Sequence, residues 1–230
     1  DHSLTGGSQR PSPAHLARRL DLAALALVFV AGAFVSAAAM VGPVGQAIAR
    51  LAAATGSKPV AEALTFAAGL AAVPALAITA CSRACWRLGR AVCDRRALAA
   101  QLSQALVPLG VGMWSAHFLL HFVTAAASLV PVAQRVAQDL GLRLLGAPDW
   151  RLAHAAPAAE TLLGLEILLL DLGLLVTLYA GWRISEQVAS APRRALAGFI
   201  PFALLAAALW ALGLFVVSEP MPMRGTMVHG

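Results

Sequence analysis

His117 and His121 stand four residues apart in the run LVPLGVGMWSAHFLLHFVTA, so a helix there stacks both imidazoles on one face, with Trp114 one turn earlier. A second run, AAETLLGLEILLLDLGLLVTLYAGWR, carries Glu160, Glu166 and Asp171 among aliphatic residues. If both runs cross a bilayer, an ionisable group near its centre costs about 2.5 to 3.5 kcal/mol on insertion scales and needs a partner or a purpose. With the first run entering near Leu106 and the second leaving near Gly181, a rise of about 1.5 Å per residue predicts two level pairs. His117 and Asp171 would lie about 16 Å above the inner boundary, and His121 and Glu166 about 22 Å.

Three chemistries fit such a cluster. Two imidazoles with one or two carboxylates suit iron, zinc or copper, a carboxylate also being able to orient an imidazole. A proton or quinone site would use Asp171 or Glu166 with histidine as exchange partner. The groups could also simply neutralise each other and lock two helices together. A haem between His117 and His121 is disfavoured, because histidines one turn apart on one helix cannot reach the same iron from opposite sides. His2, His15, His154 and His229 fall outside the apolar runs, so Met40 or a partner subunit would have to complete a shared haem site.

A second constellation is the tail SEPMPMRGTMVHG, in which Met221, Met223 and Met227 accompany His229. Thioethers and imidazole suit Cu(I), and methionines also make adaptable apolar contacts to a partner. Cys81, Cys85 and Cys93 follow a C-x3-C-x7-C spacing with no fourth cysteine, so no iron–sulfur cluster is expected within this chain alone. They are expected to be inert reduced thiols at the inner interface. The neighbouring Arg83, Arg87, Arg95 and Arg96 would attract anionic headgroups or an acidic partner.

The elements that must position these residues follow from composition. The 230 residues are 60% apolar and 12% charged, with mean hydropathy +0.77. Soluble globular domains carry about a quarter charged residues, so a soluble enzyme is excluded first. Basic residues number 17 against 11 acidic ones, but the arginines form short clusters between apolar runs without interleaved aromatics, which argues against nucleic acid. Runs at about 20–44, 60–82, 104–130, 158–182 and 197–218 are each long enough to cross the hydrocarbon layer and lack the alternation of barrel strands. The fold is therefore expected to be an all-α integral membrane domain over 18–218. Residues 1–17 read as a flexible connector and 219–230 as an outer tail.

Orientation comes from the basic residues. Arg10, Arg18, Arg19, Arg83, Arg87, Arg90, Arg95, Arg96, Arg183, Arg193 and Arg194 fall on one side, against Arg50, Lys58, Arg135, Arg143, Arg151 and Arg224 on the other. Eleven against six predicts a cytoplasmic amino terminus and, after five crossings, a periplasmic carboxyl tail in a bacterial inner membrane. Val44–Ala54 and Val132–Leu145 place apolar residues at helical spacing and are expected to be helices lying along the outer interface. No P-loop, dinucleotide fingerprint, nucleophile elbow or H-E-x-x-H stands in the chain, which is not expected to be an enzyme by itself.

The stretches AFVSAAAMVGPV (33–44), LVPLGVGMWSAHFLLHFVTA (106–125), LEILLLDLGLLVTLYAGWRIS (165–185) and EPMPMRGTM (219–227) resemble, in kind and order, the carboxyl-terminal membrane region of FesM-type membrane polyferredoxins. That resemblance implies the membrane subunit of a bacterial redox assembly. It also implies a ferredoxin-like portion on the cytoplasmic side and a quinone, cytochrome or other protein toward the periplasmic face. Trp114, His117, His121, Asp171, Met221, Met223 and Arg224 are the positions it would carry over. The chain departs from the family in lacking the cluster motif, so the cluster portion would lie upstream or the redox role would be lost.

Overall fold

The computed structural model describes residues 19–142, 145–151 and 159–219, and they form helices with no strand among them. Five helical stretches are long and apolar enough to span a membrane: Leu20–Ala38, Lys58–Gly89, Arg95–Val123, Glu160–Val188 and Pro192–Ser218. The connector 1–17, the tail residues Met221, Met223, Arg224, Met227 and His229, and His154 lie outside the described residues.

Helix α1 (Leu20–Ala38) ends before Gly42, where Pro43 starts α2 (Gly42–Thr55). The expected first span is thus shorter than 20–44, because proline is accommodated in a first helical turn but interrupts a helix interior. The second span comprises α3 (Lys58–Ala67), a π-helical turn (Ala68–Ala72) and α4 (Val73–Gly89), with Pro74 following the turn. Pro74 has no N–H for the ladder, and the wider π turn carries the helix past that gap.

The third span begins earlier than expected. Asp94 accepts hydrogen bonds from the Arg96 and Ala97 N–H groups, capping α5 (Arg95–Ala105), which runs into α6 (Val107–Ala126) at Pro108. After α7 (Leu129–Asp139) come α8 (Ala159–Val188) and α9 (Pro192–Ser218).

Helix α6 packs most extensively on α8, α8 on α9, α9 on α4, and α1 on α5 and α6. Small residues allow these approaches, as expected where lipid removes the usual hydrophobic drive. A Cβ built on Gly112 would lie 2.6 Å from the Leu169 carbonyl oxygen, and one on Gly173 would lie 2.9 Å from that of Pro108. Beside this crossing Thr177 Oγ1 accepts the Leu109 N–H at 3.1 Å.

Both segments expected along the outer interface are helical, as α2 and α7. In α7 the apolar residues Val132, Val136 and Leu140 are exposed while Pro131 and Ala137 are buried, so its apolar stripe faces away from the bundle. Helix α7 ends at Asp139 rather than Leu145; Gln134 then holds the following chain, donating to the Leu145 carbonyl and accepting the Asp149 N–H.

Candidate functional site

Helix α6 carries His117 and His121 one turn apart, with ring centroids 4.6 Å apart and planes at 85°. His117 is buried at 5% exposure, and its Nδ1 has no hydrogen-bond partner among the described residues. His121 is half-buried. On the neighbouring α8, Glu166 is more deeply buried still, at 1% exposure.

Close backbone approach sets the crossing of α6 and α8. Gly112 meets α8 between Leu169 and Gly173, and Leu109 meets Thr177. His117 lies 22 residues from the start of α5 at Arg95, and Glu166 lies 22 residues from the end of α8 at Val188. Counted from those ends, His117 and Glu166 stand at equal residue distances along the two antiparallel spans.

Asp171 is engaged elsewhere. Its Oδ1 accepts the Trp210 indole N–H of α9 at 2.8 Å, so it ties α8 to α9. Trp114 is likewise turned toward a third helix: its indole N–H donates to the Phe29 carbonyl of α1 at 3.1 Å, and its ring stacks on Phe118 with centroids 5.0 Å apart. Of the five residues expected to gather, the structure keeps His117 and His121 adjacent, buries Glu166 on the helix packed against theirs, and gives Asp171 and Trp114 partners on other helices. Trp210 is the residue that sequence reasoning missed. Its signal was an indole far from either end of an apolar run, where a buried N–H needs an acceptor.

Among the described residues no group of three or more His, Cys, Asp or Glu side chains comes together to hold a metal ion. The edge-to-face imidazoles cannot clasp a porphyrin between them. Cys81 and Cys85 are buried in α4 with sulfurs 3.9 Å apart, and Cys93 is half-buried. An apolar cavity of about 250 Å³ lies between α1, α4 and α9, lined by Leu27, Phe34, Gly69, Ile78 and Leu209 among others, and takes no side chain from the histidine region. The described residues thus place two adjacent histidines on α6 and a buried carboxyl on the helix packed against it.

Comparison with known proteins finds no matching family model, no matching curated protein and no matching solved structure.

Proposed function

We propose that the chain is the membrane subunit of a bacterial electron-transfer assembly, in which His117, His121 and Glu166 form an intramembrane proton-handling site that serves quinone chemistry. The observation that carries this reading is the burial of His117 and Glu166 on the most extensively packed pair of helices. An acid and an imidazole kept at membrane depth are expensive unless they function, and intramembrane ionisable groups mark proton paths and substrate sites. The resemblance of four stretches to FesM-type membrane polyferredoxins supplies the redox context. In this reading the arginine-rich end faces the cytoplasm of a bacterial inner membrane, where a ferredoxin-like portion docks. Helix α7 lies along the periplasmic interface on its exposed apolar stripe.

The test is mild purification from native membranes with associated subunits. Wild type is compared with Glu166→Gln and His117→Ala for assembly and for quinol-linked turnover per assembled complex. Co-purifying redox centres, with turnover at least tenfold lower in Glu166→Gln at unchanged assembly, are the expected result. Absence of any redox partner, or full turnover in both variants, would overturn it.

A second role has its own observation. The Asp171–Trp210 hydrogen bond favours a structural part for Asp171, joining α8 to α9 rather than exchanging protons.

A further inference from the structure

Two turns far apart in sequence are fastened together at one end of the bundle. The Val92 N–H donates to the Val188 carbonyl at 2.9 Å, and the Ser190 N–H reaches the Gly89 carbonyl at 3.5 Å. Just inside, α4 and α9 cross so closely that a Cβ on Gly89 would lie 3.3 Å from the Gly198 Cα. This joint gathers Arg87, Arg90, Arg95 and Arg96 from one turn with Arg193 and Arg194 from the other. All six are exposed, and among the described residues none forms an ion pair. The acids nearby are already engaged, Asp94 capping α5 and Glu186 beside Arg183. Helix α9 adds the positive end of its dipole, since Ala191 offers no side-chain cap.

Two further observations fix the kind of partner. Trp86 and Trp182 stand within two turns of the same helix ends, Trp86 exposed and Trp182 half-buried, the position of an aromatic belt at a membrane interface. Exposed Leu88, Val92 and Leu196 are interleaved with the arginines, so the surface presents charge and hydrocarbon together. A soluble acidic protein would meet only the charge. A phospholipid meets both, with its headgroup at the guanidinium groups and its chains on the apolar side chains.

We infer that this joined pair of turns is a binding site for anionic phospholipid headgroups, selected over zwitterionic ones by the arginines of the α4–α5 and α8–α9 connections. Each basic residue near an anionic surface contributes about fivefold in partition, so four acting together exceed what screening by ordinary salt removes.

The test titrates the purified full chain in mixed micelles with phosphatidylglycerol or phosphatidylcholine and reads apparent dissociation constants. Phosphatidylglycerol should bind at least tenfold more tightly than phosphatidylcholine. The variant Arg87→Gln, Arg90→Gln, Arg193→Gln, Arg194→Gln should lose that preference. The control variant Arg50→Gln, Arg135→Gln, Arg151→Gln, remote from this joint in sequence, should keep it. Inorganic phosphate at matched ionic strength should compete no better than chloride, separating a lipid site from a free phosphate site. If the fourfold variant fails to fold, the two double variants, Arg87→Gln with Arg90→Gln and Arg193→Gln with Arg194→Gln, carry the test, each weakening binding severalfold. Equal binding of both lipids by wild type, or equal loss in the control, would overturn the inference.

Discussion

Trp210 donates its indole N–H to Asp171 Oδ1 at 2.8 Å, so the carboxyl closest to the middle of α8 is held by α9 and not by the histidines of α6. Removing the donor leaves a partly buried carboxyl without it, while removing the carboxyl leaves an indole N–H. Trp210→Phe should lower stability by about 1 to 3 kcal/mol. Asp171→Asn, which keeps an acceptor oxygen, should lose less than half as much. Reversible unfolding in mixed detergent micelles checks both, and equal losses would show that the bond is not what joins the helices.

The α6–α8 crossing should be intolerant of a single methyl group. Gly112→Ala places a Cβ against the Leu169 carbonyl, and Gly173→Ala places one against that of Pro108. Each should destabilise by about 1 to 3 kcal/mol, the usual range for overpacking. Gly164→Ala, on the same α8 but with nothing within 4 Å of its added Cβ, should stay within about 0.5 kcal/mol of wild type. Thermal melting of the three variants in one detergent distinguishes a specific crossing from a general glycine effect.

Thr177 supplies the acceptor for the Leu109 N–H where α6 has just passed Pro108. Thr177→Val keeps the shape and removes the oxygen, leaving a buried N–H unpaired, and should lose about 1 kcal/mol. Thr177→Ser should restore most of it. A valine variant as stable as wild type would mean that the Leu109 amide is satisfied within its own helix.

Much of this architecture can be read from the chain because hydrocarbon imposes length. Apolar runs of about twenty residues have few other uses, and each of the five became a helix long enough to span. The helix ends were harder to read. RRALAAQLSQA is too polar to count as part of an apolar run, yet it is made of good helix formers behind an Asp94 cap, so it lengthens the third span at its N-terminal end. The candidate site was legible in its residue types and neighbouring helices but not in the partner of Asp171. The partner of Asp171 was missed because depth arithmetic compared only α6 with α8, whereas α8 buries a second face against α9. The Met-rich tail falls outside the described residues.

The account rests most heavily on Glu166 changing its protonation or its environment when the assembly turns over. Infrared difference spectroscopy of the reconstituted native assembly, comparing oxidised and quinol-reduced states, reads that change directly in the carboxyl stretching region. The account predicts a carboxyl band that disappears in Glu166→Gln and shifts in His117→Ala. Difference spectra identical in wild type and Glu166→Gln would contradict it.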